Sequence, residues 1–272
     1  MTEINQPKYL HGFSKLEQDR LYKQAKFFEP WIYQDIKFQK SKNILEVGSG
    51  VGAQTEIILK HFPKSKVTCV DFSADQLNRA KHHLQKQAKK ERVEFHQGDA
   101  RHLPFKNKSF DGAFLCWFLE HLESPIEVLK EVRRTLRPAS PIYLTEVLNS
   151  SFYVHPYSPA TLKYWFEFND HQWNLKGDPF VGAKLANYLL EAGYKKVKTE
   201  IVVHHFDNRN PKLRAQCIED WTNMLLSAAP KLLELKKVSI ADVQAMKVEL
   251  ETLKCTEGSV FFSTFVKANA VS

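Results

Sequence analysis

A glycine run and two carboxylates are the residues of this 272-residue chain best spaced to do chemistry. Glu46-Val-Gly48-Ser-Gly50-Val-Gly52 follows a short apolar run and opens a helical pattern. Glycines at such a turn let the backbone fold tightly and approach a ligand closely, while the first N–H groups of the helix face it. Asp71 closes the next apolar run. A carboxylate at that tip can accept hydrogen bonds from both hydroxyls of a ribose. Capping the following helix is the bland reading of Asp71, and on this residue alone the two stand even. The loop reads G-x-G-x-G and not the dinucleotide fingerprint G-x-G-x-x-G, with an acid two residues before its first glycine. An acid there would repel a pyrophosphate and suits a ligand carrying an ammonium group. No G-x-x-x-x-G-K-[ST] loop exists, which argues against an NTPase.

The elements that must position these residues alternate. The chain reads as helical after Ser14, then as a strand over 43–47, a helix over 53–62 stopped by Pro63, a strand over 66–71 and a helix from Ser73 to about Lys89. Strands follow over 92–97, 110–116 and 141–148, with a helix over 124–136 between the last two. Alternating strands and helices predict an α/β fold: a Rossmann-like, seven-stranded, mostly parallel sheet with an antiparallel last strand and helices on both faces. Beyond it lie a helix over 181–191 closed by Gly193, a long strand over 195–206 and a last strand over 259–267. Segments 149–178, aromatic and irregular, and 208–258, with helices opening at Pro211 and after Ser239, interrupt the alternation. The organisation expected is an N-terminal helical lid over 1–42, a core over 43–148, and a C-terminal part of the same domain over 149–272 that carries these two insertions as covers.

Composition narrows the classes. Hydrophobic residues make up 43% and charged residues 26%, so wholesale disorder is excluded. The net charge of +8 divides into excesses of +3, +3 and +2 over 1–42, 43–148 and 149–272, with no basic stripe of the kind a nucleic-acid binder concentrates. No apolar run approaches the roughly 18 residues needed to span a bilayer. Glu3, Asn5 and Gln6 stand where a signal peptide would be apolar, so a soluble, cytoplasmic chain without a membrane partner is expected. Cys69, Cys116, Cys217 and Cys255 lie far apart, which predicts reduced thiols and neither a disulfide framework nor a metal site.

Residues 43–148 resemble the core of class I S-adenosylmethionine-dependent methyltransferases, motif by motif and in order. The first motif is Leu45-Glu-Val-Gly-Ser-Gly-Val-Gly52 and the second Val70-Asp-Phe-Ser-Ala-Asp-Gln-Leu77. Gln97-Gly-Asp-Ala-Arg-His-Leu-Pro-Phe105 resembles the loop that grips adenine. Ser109-Phe-Asp-Gly-Ala-Phe-Leu-Cys-Trp-Phe-Leu-Glu-His-Leu122 resembles the strand and turn beneath the sulfonium, and Leu136-Arg-Pro138 precedes the fifth strand. The likeness is nearest to the small-molecule, ubiquinone-biosynthesis-like branch, although Ala139-Ser140 replace the glycines that many relatives carry after that proline.

The resemblance implies S-adenosyl-L-methionine as cofactor, lying across the strand tips, and S-adenosyl-L-homocysteine as product. Gly48, Ser49 and Gly50 would border its methionine portion, and Glu46 would reach its ammonium directly or through water. Asp71 would hold the ribose, with Phe72 and Gln76 beside the adenine. Asp99, between Gly98 and Ala100, would accept from the adenine amino group while Ala100 donates to the ring. By itself Asp99 reads as a turn aspartate. Cys116, Trp117, Phe118 and His121 would line the floor near the methyl, although alone Trp117 and Phe118 read as packing residues. Tyr9, His11 and Gly12, just before the first helix, either close over the cofactor carboxylate or form a surface loop.

The reaction implied is in-line displacement of methyl from the sulfonium, in which the protein aligns the acceptor and excludes water. A phenol, enol or amine acceptor would need a base. His121 is the first candidate, with helix-start hydrogen bonding as its rival reading, and His155 is the second. Tyr153, His155, Trp165 and Trp173 in the aromatic segment would meet a small-molecule substrate. His204-His205 read as solvated or packed. The expectation is thus a methyltransferase acting on a small molecule, monomeric or homodimeric, without a nucleic-acid partner. An RNA or protein methyltransferase and a non-catalytic effector of the same fold are the rivals.

Overall fold

The computed structural model describes residues 10–272. Ser14 accepts a hydrogen bond from the Glu17 N–H and starts α1 (Lys15–Ile32). The alternating core follows as β1 (Asn43–Val47), α2 (Ala53–His61), β2 (Lys66–Asp71), α3 (Ala74–His83), α4 (Gln85–Ala88), β3 (Val93–Gln97), β4 (Gly112–Cys116), α5 (Pro125–Thr135) and β5 (Pro141–Val147). The strands run parallel in the order β3-β2-β1-β4-β5. Strand order therefore reverses between β1 and β4, where a crevice opens at the C-terminal tips.

The sheet is covered on both faces, which is why its strands are apolar almost throughout. In β1, Leu45 and Val47 join a core with α5, while Ile44 joins the opposite core with α1 and α2. Neighbouring β4 divides likewise: Leu115 faces the first core and Phe114 the second.

The chain continues through β6 (Tyr153–His155), α6 (Pro159–Asn174), α7 (Leu185–Glu191), β7 (Lys195–Phe206), α8 (Pro211–Glu234), α9 (Ile240–Cys255) and β8 (Val260–Val271). β8 runs antiparallel to β5, and β7 pairs with β8 on its other side. Val147 at the tip of β5 is level with Phe265, and His204 of β7 is level with Ser263. The 203–206 and 261–264 segments thus extend past the strand tips and overhang the crevice.

Three expectations are corrected. Among the described residues the sheet has eight strands, because Tyr153–His155 pairs with the start of β8. The segment expected to be irregular is largely helix. Pro159 opens α6, and Thr161, Tyr164, Trp165 and Phe168 bury one face at helical spacing. The helix expected to run to Lys89 breaks at Leu84, which is fully buried beside Gly52. Helices α6, α8 and α9 share a third core with Phe261 of β8. Among the described residues no helix is long and apolar enough to cross a membrane, the cysteines are unbridged, and no cluster of metal-ligating side chains occurs.

Candidate functional site

A cavity of about 490 Å³ occupies the crevice and runs from the glycine loop to the overhang of β7 and β8. Gly48, Gly50 and Gly52 all have positive φ. A Cβ on Gly48 would lie 2.2 Å from the Phe118 ring, whereas one on Gly50 would meet nothing within 4 Å. Glycine is therefore required at 48 to let β4's exit pass, and at 50 it leaves open space on the cavity side. The loop amides are already engaged. Gly48 and Ser49 donate to Val70 O at 2.9 and 3.1 Å, Gly52 donates to Ser49 O, and Gly50 donates to Asp71 Oδ2 at 2.7 Å. The loop can thus meet a ligand by closeness more than by spare donors. The Ser49 hydroxyl is buried on the same wall beside the Cys69 thiol.

Asp71 also accepts from the Ser73 N–H at 2.9 Å on its other oxygen. Each carboxylate oxygen keeps a second acceptor site, enough for two hydroxyls. Burial raises its pKa even though three backbone donors and His121 pull it down. Phe72 and Gln76 line the same part, and Gln76 Oε1 accepts from Gln18 of α1 at 3.1 Å. Gly98, Asp99 and Ala100 form the next edge. The Asp99 carboxylate is held by the Arg101 guanidinium, as close as 2.6 Å, which lowers its pKa.

The floor is Cys116, Trp117 and Phe118. Trp117 has φ of 50°, a strained value for a bulky residue, and its N–H donates to Thr145 O at 2.8 Å. The turn after it is fixed by a residue that the sequence reading passed over. Glu146, fully buried on β5, accepts from the N–H groups of Phe118, Leu119 and Glu120 at 3.1, 2.8 and 3.3 Å. Its signal was a glutamate inside an apolar strand. Burial, with Glu120 beside it, pushes its pKa to about 8. His121 ends this turn on the cavity wall, its Nε2 3.8 Å from Glu120 Oε1, and Gln172 of α6 donates to Glu120 at 2.8 Å.

Helix α1 crosses the loop. Tyr22 donates to Val51 O and Tyr33 to Gln54, while Lys60 and His61 both hold Glu29 at 2.8 Å. Arg20, paired with Glu17 at 2.6 Å, presents to the cavity and is a second residue that the sequence reading missed. His11 lines the cavity with its Nδ1 2.6 Å from Ser227 Oγ of α8. Tyr9 lies outside the described residues.

Other expected positions stand elsewhere. Glu46 does not line the cavity: its Oε2 accepts from Thr55 of α2 at 2.6 Å, and burial, then Asp71, raises its pKa to about 8. Gly12 is also off the wall. None of the four substrate candidates lines the cavity. Tyr153 and His155 point outward on either side of buried Val154, so His155 is no base for this space. Trp173 is exposed beneath Lys184, and Trp165 is buried in the helical core with its N–H on Asn149 O at 3.1 Å. The aromatic wall comes instead from Phe28, Trp117, Phe168, Trp221 and Phe265, with Met224 and His204 between them. Trp117 was expected on the floor; the others are scattered over α1, α6, α8, β7 and β8, and of these only His204 carried a signal, the alternation of Val202, His204 and Phe206 on one face of β7.

A family model described as a methyltransferase domain matches residues 45–144. Sterol 24-C-methyltransferase of Gibberella zeae is 30% identical over 46% of this chain and 33% of its own length. Demethylmenaquinone methyltransferase of Staphylococcus aureus is 30% identical over 49% of this chain and 55% of its own. The chain therefore spans about a third to about half the length of these curated relatives. In fold it is similar to phosphoethanolamine N-methyltransferase 2 of Haemonchus contortus in complex with S-adenosyl-L-methionine, with a TM-score of 0.60 at 16% identity over 97% of this chain and 58% of that one. Residues 45–144 thus match a methyltransferase domain, and the sheet that carries them has a fold similar to that of solved methyltransferases.

Proposed function

We propose that this protein transfers the methyl group of S-adenosylmethionine to a small-molecule acceptor. One observation carries the reading: a single cavity joins the glycine loop and Asp71 to an aromatic compartment under β7 and β8. The residues present fit the cofactor. Asp71 keeps two acceptor sites for ribose hydroxyls, Gly50 leaves open space, and the Ser49 hydroxyl and the Arg20 guanidinium line the wall where a carboxylate would lie. When bound, the sulfonium supplies an activated methyl group.

The chain's own residues then orient and enclose. Asp71 and Gly50, tied together, set the depth of the ribose. Trp117 and Phe118, fixed through Glu146, form the floor that holds the acceptor in line. Helix α1 and the aromatic wall exclude water. His121, beside Glu120, takes the proton of an acceptor that must lose one. The enclosed compartment favours a small molecule over an RNA or protein, which would need an open approach for a long chain.

Calorimetry with S-adenosylmethionine and S-adenosylhomocysteine tests the first half, with micromolar binding of both expected. Incubation of the protein with methyl-labelled cofactor and fractionated cell extract tests the second. Label should enter the low-molecular-mass fraction. Label confined to RNA or protein would transfer the assignment to those substrates, and binding without any transfer would make the chain an effector. Replacing His121 by Gln should slow methyl transfer about a hundredfold or more, a far larger loss than in S-adenosylhomocysteine affinity.

A further inference from the structure

Beyond Trp117 the cavity changes character. Its lining from α6, α8, β7 and β8 comprises Phe168, Trp221, Met224, His204 and residues 263–265, none of which carries a charged group. The charged lining residues come from α1 (Arg20), from the tips of the parallel strands and the loops after them (Asp71, Asp99, Arg101, Glu120, Glu123) and from Lys176, just past the end of α6. An anionic or cationic acceptor seated among Phe168, Trp221, Met224, His204 and Phe265 would lose its hydration with no charged side chain in that set.

Polar atoms there are nevertheless left open. His204 is 2% exposed, lies on the cavity wall, and its Nε2 has no hydrogen-bond partner among the described residues. Rings surround it: the centroids of Phe28, Phe265 and Trp31 lie 4.9, 5.0 and 5.1 Å away. Burial holds the imidazole neutral, its pKa near 4. The Trp221 N–H and the Thr264 hydroxyl, on the same cavity lining, are likewise buried without partners. Buried polar groups are nearly always satisfied, so a set without partners around one cavity marks bonds that a ligand completes. A purely structural histidine at this place would be better replaced by a phenylalanine, since the neighbours are rings.

Resting on the methyltransferase reading, we infer that the acceptor is an uncharged, flat ring compound bearing a hydroxyl or carbonyl, seated between Phe28, Trp221 and Phe265 with its oxygen hydrogen-bonded to His204. His204 acts as a positioning residue. It fixes which edge of the ring faces the methyl, while the aromatic faces supply shape. A neutral imidazole can donate to a carbonyl or accept from a hydroxyl, so both oxygen types fit.

Three 2-substituted naphthalenes test this in saturating S-adenosylhomocysteine, by equilibrium dialysis: 2-naphthol, its near-isostere 2-methylnaphthalene, and the anionic 2-naphthoate. The wild-type protein should hold 2-naphthol at least about tenfold more tightly than either of the others, the worth of one buried hydrogen bond. In His204→Phe that preference over 2-methylnaphthalene should fall below about threefold, with S-adenosylhomocysteine affinity unchanged. In His204→Asn part of it should return. The wild-type ranking needs no variant and stands even if one fails to fold. Equal or tighter binding of 2-naphthoate, no preference for 2-naphthol, or a preference that survives His204→Phe would each overturn the inference while leaving the methyltransferase reading intact. Failure to bind S-adenosylhomocysteine at all overturns both.

Discussion

Asp71 Oδ2 accepts the Gly50 N–H at 2.7 Å, so the tip of β2 and the turn after β1 are one unit. A carboxylate that was read from sequence as a ligand contact is also the strut that keeps the glycine loop open. The two roles make a single prediction. Asp71→Ala removes both, and affinity for S-adenosylhomocysteine should fall about a hundredfold or more, the loss of two charge-assisted hydrogen bonds. Calorimetry reads this directly, and an affinity within threefold of wild type would detach Asp71 from the ribose.

Gly48 cannot take a side chain without displacing Phe118. Gly48→Ala places a methyl group 2.2 Å from that ring at a φ of 74°. The variant should lose about 2 kcal/mol of stability or more and bind the cofactor poorly. Adding Phe118→Ala should relieve the clash and return part of the affinity. Denaturant unfolding separates the two effects, and a double variant no better than the single would show that the contact does not matter.

Glu46 gives a pH dependence with a definite sign. Its pKa is near 8 in the folded protein against an ordinary value of 4.5, because burial penalises the charge and Asp71 adds repulsion. The unfolded chain releases this proton first as pH rises, so the stability the group contributes is complete below about pH 4.5 and lost through pH 8. Glu46→Gln in the ligand-free protein should melt with wild type at pH 5 and roughly 2 °C or more above it at pH 8.5. Melting curves that differ by the same amount at both pH values would contradict the burial argument.

Glu146 anchors three N–H groups of the turn beneath the acceptor. Glu146→Leu leaves all three buried without partners and should cost about 3 kcal/mol or more. Thermal unfolding tests it, and an unchanged midpoint would mean the turn finds other acceptors. Where the variant stays folded, affinity for 2-naphthol should fall with little change in affinity for S-adenosylhomocysteine.

The donor half was legible because it is local. Gly48 to Gly52 lie within five residues, and Asp71 ends the next strand, so spacing alone brought them together. The acceptor half is not local. Phe28, Phe168, His204, Trp221 and Phe265 meet only because β7 and β8 overrun the tip of β5 and α8 folds back across them. Aromatic density in the sequence drew attention to 149–178, where Tyr153 and Trp173 face outward and Trp165 packs a helical core. His204 was read as solvated or packed since neighbouring His205 masked its place. The alternation with Val202 and Phe206 would have put it indoors. Glu46 was legible as a residue but not in its position. Thr55, nine residues later in the first turn of α2, holds the carboxyl away from the cavity.

The overhang of β7 and β8 has a consequence for descent. The glycine loop and Asp71, proposed to hold the donor, lie within the stretch matched by the methyltransferase model, while the far compartment is furnished mainly by residues beyond its end. Under the proposed function, mutations in the later half would retune what is modified without disturbing the common currency of the reaction. Lineages sharing this front half are free to diverge in diet.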